Sequence, residues 1–293
     1  MPIVWQLSVL GLTNWRTLVT GVVLKRVPYL YDKKVNWQKN FSNVCRSYFT
    51  RAYANRELVV LVGENQIRVR TDSRGGFRLV LDEPYSAEIN IALSNNNVPL
   101  QVIHNCSMSF PMSDSSVGLI SDIDDTVIVS HTATLLKRLW SVIFTTPHQR
   151  GVVEFTKKVF EEAQERGAYF FYISRSEANL LGAILEIIRC NALPDGMMLL
   201  TPYLSFLRLF NPQKGISSKL SNIIFIIENT DIDSFVLFGD DSQRDVLIYT
   251  DVVRMYPDKI REVYIRKTRS FISARRKRMM SDLMSLGVPV IYF

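Results

Sequence analysis

Two hydrophobic rhythms divide the chain. From Thr17 to His104, short runs rich in β-branched residues follow one another (LVTGVVL, ELVVLVG, QIRVRTD, FRLVLD, AEINIAL and VPLQVIH) and read as strands. Turn signals stand between them at the spacing of antiparallel pairs: Gly63-Glu64-Asn65, Ser73-Arg74-Gly75-Gly76 and the run Asn95-Asn96-Asn97. The stretch therefore predicts a small β-sandwich. Nothing in it pairs a nucleophile with a base or gathers metal ligands, so a scaffold or recognition role is expected of it. The partly apolar segment Met1–Trp15 lacks the basic leader and small-residue cleavage site of a secretory signal and is read as the start of the fold.

After the polar stretch Ser113-Asp114-Ser115-Ser116 the rhythm changes, which sets the expected domains at 1–112 and 117–293. VGLIS reads as a strand ending at Ser121, Val152–Arg166 as a helix closed by Gly167, and YFFYIS as a continuous apolar strand. Helices are expected at Ala178–Arg189, Lys219–Asn229, Val246–Met255 and Ser270–Leu286. Strands are expected at FVLFG, EVYIR and the closing VPVIYF. Apolar strands alternating with helices imply a mostly parallel sheet covered on both faces, an α/β doubly wound fold.

The composition changes this picture little. The 293 residues are 47% hydrophobic and 22% charged, which excludes a disordered, collagenous or low-complexity chain. No apolar run approaches the ~20 residues of a bilayer-spanning helix. Cys45, Cys106 and Cys190 form neither a metal-ligand spacing nor an even disulfide framework, which suits buried thiols in a reducing, cytoplasmic setting. The histidines His104, His131 and His148 share no ligand spacing.

Charge is informative through its placement. The net charge is +7, and between Lys259 and Arg278 nine basic residues stand against the single acid Glu262. Such a cluster is either a solvated helix face or a peripheral contact for an anionic membrane. Nucleic acid is disfavoured, because no stacking platform or groove-reading motif accompanies the charge.

Ligands of doubly wound sheets gather beyond the carboxyl ends of the strands, so the loops after each apolar run carry the chemistry. Asp122-Ile123-Asp124-Asp125-Thr126 follows VGLIS, Ser174-Arg175-Ser176 follows YFFYI, and Asp240-Asp241-Ser242-Gln243-Arg244-Asp245 follows FVLFG. Carboxylates crowded in one crevice require a cation, and an oxygen-rich pocket suits Mg²⁺. Asp122 is then the candidate nucleophile toward phosphorus, and Asp124 the acid for the leaving oxygen and later the base for water. Like-charge coupling between the two would hold Asp124 neutral beside an ionised Asp122. Asp122, Asp124 and Asp240 are the candidate metal ligands, with Asp245 ahead of Asp241 for the remaining place. Thr126, Ser174, Arg175 and Lys219 form the candidate phosphate-binding set, with Lys214 a rival for the lysine.

DxDxT after a strand, Ser after a second, Lys opening a helix and GDxxxxD after a third resemble the haloacid dehalogenase-like (HAD) phosphohydrolases. More closely, GLISDIDDTV, YISRSEANL, SKL and FVLFGDDSQRD resemble the phosphatidate phosphatase catalytic domain family named for the fungal actin-patch protein, whose β-rich N-terminal domain also matches this layout. The resemblance implies a HAD-like domain, Mg²⁺ dependence, removal of phosphate from phosphatidate, and contact of Asp124 with the metal through its main-chain oxygen. Arg175-Ser176-Glu177-Ala178 departs from the small, proline and aromatic residues common there, which bears on substrate detail.

The 135–144 segment, LLKRLWSVIF, lies where this superfamily inserts a cap, and its shortness predicts a minimal one. Lys137, Arg138 and Trp140 there suit an anionic lipid interface, and an amphipathic helix packed on the sheet is the competing expectation. A soluble phosphomonoester as substrate, or a membrane- or protein-binding module with little catalysis, are the alternatives to a lipid phosphatase.

Overall fold

The computed structural model describes residues 1–30, 37–63, 65–84, 88–108, 116–128, 151–201, 216–241, 243–268 and 273–293. The chain divides into two compact units. One comprises Met1–Pro111 with Ser176–Ile184 and Pro202–Pro212, the other Met112–Arg175 with Leu185–Thr201 and Gln213–Phe293.

In the first unit, β1 (Ile3–Leu12), β2 (Arg16–Leu24), β5 (Gly76–Leu81) and β7 (Val102–Asn105) form a four-stranded sheet in the order β5-β2-β1-β7. A second sheet has the order β4-β3-β6, from β3 (Glu57–Val62), β4 (Asn65–Arg70) and β6 (Ile89–Leu93). Val4, Leu7, Val9, Val19 and Val23 of the first sheet share one core with Leu58, Val60, Val62, Ile89 and Ile91 of the second, which is the expected sandwich.

Two features depart from the sequence reading. β7 pairs with β1 in parallel, Val4 opposite Val102 and Gln6 opposite His104, so the unit is not wholly antiparallel. A helix, α1 (Trp37–Phe49), interrupts the strands. Its buried positions Asn40, Asn43, Val44, Ser47 and Tyr48 have helical spacing but are mostly polar, so no apolar stripe announces it. The segment that follows β9 (Tyr169–Glu177) belongs to this same unit and is held within it. The Trp5 indole N–H donates to Ala178 O at 2.8 Å, the Tyr29 hydroxyl to Asn179 O at 2.7 Å, and the Asn179 side-chain amide to Ser47 O at 3.3 Å.

The second unit is built on a six-stranded sheet of order β10-β9-β8-β11-β12-β13. Its further strands are β8 (Val117–Ser121), β10 (Met197–Thr201), β11 (Ser234–Asp240), β12 (Ile260–Arg266) and β13 (Val290–Tyr292). β8–β9, β8–β11, β11–β12 and β12–β13 all pair in parallel. Its helices are α2 (Glu154–Glu165), the later part of α3 (Leu181–Cys190), whose first turn belongs to the first unit, α4 (Ile216–Asn229), α5 (Gln243–Met255) and α6 (Ala274–Met284). β10 was not anticipated, because MMLLT has one β-branched residue, and that at its end.

Neighbouring positions of β11 show that both faces are covered. Phe238 meets the α2 ring Phe160 edge-on at 5.1 Å between centroids, while the missing side chain of the next residue, Gly239, would point at Tyr249 of α5. The strand order reverses direction between β8 and β11, so the crevice outside their carboxyl ends is the switch point where such sheets bind ligands.

Among the described residues no helix is long and apolar enough to cross a membrane. The 135–144 segment and Lys214 lie outside the described residues.

Candidate active site

Register brings the acidic motifs together. Ser121 of β8 lies opposite Phe238 of β11, and the Asp122 N–H donates to Phe238 O at 2.9 Å, so Asp122 and Asp240 leave adjacent parallel strands at the switch point. Ser121 is also paired with Tyr172 of β9, two residues before Ser174. The Ser174 hydroxyl donates to Asp124 Oδ2 at 3.1 Å, which joins the second acid to the second motif.

The loop after Asp122 is a tight turn. Val127 N–H and Ile128 N–H both reach Ile123 O, at 3.1 and 3.0 Å, and Asp125 takes a positive φ of 59°. Two residues that the sequence reading did not single out hold this turn. Arg266, at the end of β12, donates to Asp125 O at 2.9 Å, and the Thr156 hydroxyl donates to Thr126 O at 3.1 Å. Arg266 stands at a carboxyl strand end, and that position was the available signal.

Lys219 enters from α4 and is 2% exposed. Its ammonium lies 2.8 Å from Asp245 Oδ1 and 3.2 Å from Asp122 Oδ1, and 5.6 Å from the centroid of the Tyr249 ring. Burial alone would favour loss of the Lys219 proton, but the Asp122 and Asp245 carboxylates outweigh it, and its pKa is raised. The lysine is a fixed cation. Asp122 is pushed well above the usual carboxylate range, first by burial and then by Asp245, Asp124 and Asp240, against the opposing pull of Lys219. Burial thus places the upward shift on the candidate nucleophile itself.

The other acids differ in what they touch. Asp245 is buried; one oxygen faces Lys219 and the other accepts the Asp240 N–H at 3.4 Å, so it ties the lysine to the end of β11. Asp241 accepts from Thr268 N–H at 3.1 Å, from the Thr268 hydroxyl, and from the Tyr292 hydroxyl at 3.1 Å, with Arg276 at 4.0 Å. It fastens β11 to the last two strands. The Thr126 hydroxyl is buried and has no hydrogen-bond partner among the described residues. The side chain of Arg175 lies outside the described residues.

The donors suit a hard cation. Among the described residues three further carboxylates act on Asp122 against the ammonium of Lys219, and every one of these acidic donors is oxygen. Among the described residues no three His, Cys, Asp or Glu side chains stand in a ready-made metal cage. Its buried hydroxyl leaves Thr126 able to hydrogen-bond an oxygen-bearing group.

The motif glycine before Asp240 has a steric cause. A Cβ on Gly239 would lie 2.6 Å from the Tyr249 ring and 3.0 Å from Asp245 Oδ2. Tyr249 cannot retreat freely, since it is buried and its hydroxyl donates to Phe238 O at 2.6 Å. Gly239→Ala is expected to cost about 1–3 kcal/mol by overpacking and to displace Asp245 from Lys219. A thermal melt indistinguishable from the parent's would contradict this.

Several members of the basic cluster have internal partners. Lys259 donates to Ile232 O at 3.1 Å, Arg261 pairs with Glu262 at 3.8 Å, Arg266 holds the Asp125 turn and Arg276 faces Asp241. Arg275, Lys277 and Arg278 on α6 are exposed.

A family model described as phosphatidate phosphatase APP1, catalytic domain, matches residues 117–267. The phosphatidate phosphatase APP1 of Saccharomyces cerevisiae is 26% identical over 204 residues, covering 67% of this chain and 34% of that protein. An uncharacterized protein of Schizosaccharomyces pombe is 24% identical over 238 residues, covering 75% of this chain and 38% of its own length. The chain spans little more than a third of the curated relatives it matches. Among solved structures, the tungstate-bound class C acid phosphatase of Bacillus anthracis aligns at 14% identity and a TM-score of 0.35, over 58% of this chain and 80% of that one.

Proposed function

The chain belongs to the phosphatidate phosphatase APP1 catalytic-domain family, and from that premise we propose that it is a Mg²⁺-dependent phosphatase acting on phosphatidate or a related lipid phosphate. The observation that carries the reading is that Asp124, Asp240 and Asp245 all act on the buried Asp122 at the switch point of the sheet, where Lys219 pairs with Asp122 and Asp245.

In the proposed reaction Asp122 attacks phosphorus. A bond forms between its carboxylate oxygen and phosphorus while the bond to the leaving alkoxide breaks, and Asp124 passes a proton to that oxygen. Asp124, placed by its hydrogen bond from Ser174, then takes a proton from water. That water attacks phosphorus, releasing inorganic phosphate and restoring Asp122. Lys219 offsets the charge that builds on the phosphoryl oxygens, and Asp245 keeps it aimed. Thr126 and Ser174 supply hydroxyls for the phosphate, with Arg175 as the additional cation of the set. Asp122, Asp240 and the main-chain oxygen of Asp124 would hold Mg²⁺, with Asp245 supporting Asp240 from behind. The ion would supply Lewis-acid stabilisation of the phosphoryl oxygens and reduce repulsion between two anions.

The test is release of inorganic phosphate from phosphatidate in mixed micelles, compared with a panel of soluble phosphomonoesters. Turnover is expected with Mg²⁺, is abolished by EDTA, and returns on adding Mg²⁺ in excess. Full activity in EDTA would sink the metal-dependent mechanism. A preference for a soluble ester would transfer the chemistry to that substrate class, and binding to vesicles without phosphate release would favour the interaction-module reading.

A further inference from the structure

We propose that the end of the three-stranded sheet holds a second binding site, separate from the carboxylate cluster, for a small phosphorylated polyol. β3 runs antiparallel to both of its neighbours, so the start of β3 lies beside the ends of β4 and β6. The three strand termini border an open surface pocket of about 410 Å³, within the size range of small-molecule sites. Arg56 precedes β3, Arg70 ends β4, and Ser94 and Asn95 follow β6; Tyr53 and Asn55 complete the wall.

Every one of these side chains offers a polar donor, so an apolar ligand would leave them unsatisfied. Among the described residues neither Arg56 nor Arg70 has a carboxylate in ion-pair contact, and Glu57, which also lines the cavity, is 3.7 Å from Arg68 instead. Two arginines lining one pocket offer guanidinium donors of the kind that match the oxygens of a phosphate. The amides of Asn55 and Asn95 and the Ser94 hydroxyl can both give and accept, as hydroxyl-bearing ligands require. Glu57 can accept from a ligand hydroxyl and would repel a second phosphate. That combination selects one phosphate with neighbouring hydroxyls, whether on a free metabolite or on a lipid headgroup.

The walls are prebuilt. Thr71, itself 2% exposed, donates its hydroxyl to Tyr53 O at 2.7 Å and accepts the Arg56 N–H at 3.0 Å. Asn55 N–H donates to Asp72 O at 3.1 Å, and Asn55 takes a positive φ of 54°. On the facing side the turn after β6 is closed by Asn97 N–H to Leu93 O at 2.9 Å and Leu93 N–H to Val98 O at 3.0 Å. A ligand therefore meets a site whose backbone does not have to order on binding.

The experiment is a titration of the ¹⁵N-labelled full chain with glycerol 3-phosphate in EDTA, with glycerol as the neutral control. Saturable shifts are expected at the amides of Asn55, Arg56 and Asn95, absent with glycerol and weakened at least ~10-fold in affinity in Arg56→Gln/Arg70→Gln. Both arginines are exposed, so the double variant should keep the parent's melting temperature, and Arg56→Lys/Arg70→Lys should retain part of the binding. Shifts that fail to saturate, or that are unchanged in the double glutamine variant, would overturn the site. With the titration positive, flotation on vesicles containing a phosphatidylinositol monophosphate, whose headgroup carries one phosphomonoester beside free hydroxyls, decides the source of the ligand. Loss of flotation in the double variant assigns the lipid headgroup, and retained flotation assigns the free metabolite.

Discussion

Asp122→Asn should abolish phosphate release, by on the order of 10⁴-fold or more in kcat, while leaving the thermal melt within a few degrees of the parent's. An amide cannot form the acyl-phosphate bond, and two of the nearby described acids are engaged elsewhere, Asp245 with Lys219 and the Asp240 amide and Asp124 with the Ser174 hydroxyl. Stability should not suffer. In the parent Asp122 sits buried among three like charges, and removing its charge relieves that repulsion while Lys219 keeps Asp245 at 2.8 Å. Substantial turnover by a well-folded Asp122→Asn protein would remove Asp122 as nucleophile. Unfolding would instead mean that its charge is needed for the fold.

Lys219→Met should damage both stability and catalysis. The ammonium is the shared partner of two buried carboxylates, and its loss leaves both without compensation at a position 2% exposed. Breaking a buried pair in this way costs about 3–5 kcal/mol, which in a chain of this size lowers the melting temperature by roughly 10 °C. Adding Asp245→Asn to Lys219→Met should recover part of that stability, because one orphaned charge is neutralised, yet should recover none of the activity. The double-variant cycle separates the two roles of the lysine. A single variant as stable as the parent would show that the buried triad carries little net energy.

The fold of the second unit was legible in the sequence because parallel strands covered on both faces are continuous apolar runs, and each motif begins where such a run stops. VGLIS, YFFYIS, FVLFG and EVYIR all lie within observed strands. The sequence did not reveal what faced what. Spacing puts Asp245 only modestly ahead of Asp241. In three dimensions they are separated by their contacts, one reaching Thr268 and Tyr292, the other reaching Lys219. Tyr249, Thr156 and Arg266 gave no motif, since a residue that braces a loop through a single main-chain oxygen has no characteristic spacing. α1 stayed hidden because its inward face is largely polar, and the parallel β1–β7 pair because register between strands remote in sequence leaves no local trace.

The strand order also governs when the acidic centre comes into being. Ser116 N–H donates to Asp233 Oδ2 across 117 residues of chain, just before β8 and β11 pair. Contacts of such long range form slowly and late. During synthesis from the N-terminus, Asp122 and Asp124 leave the ribosome well ahead of Lys219, Asp240 and Asp245. The nascent chain therefore carries its first two acids in water, where their charge is harmless, and draws them out of solvent only after the compensating ammonium has been translated.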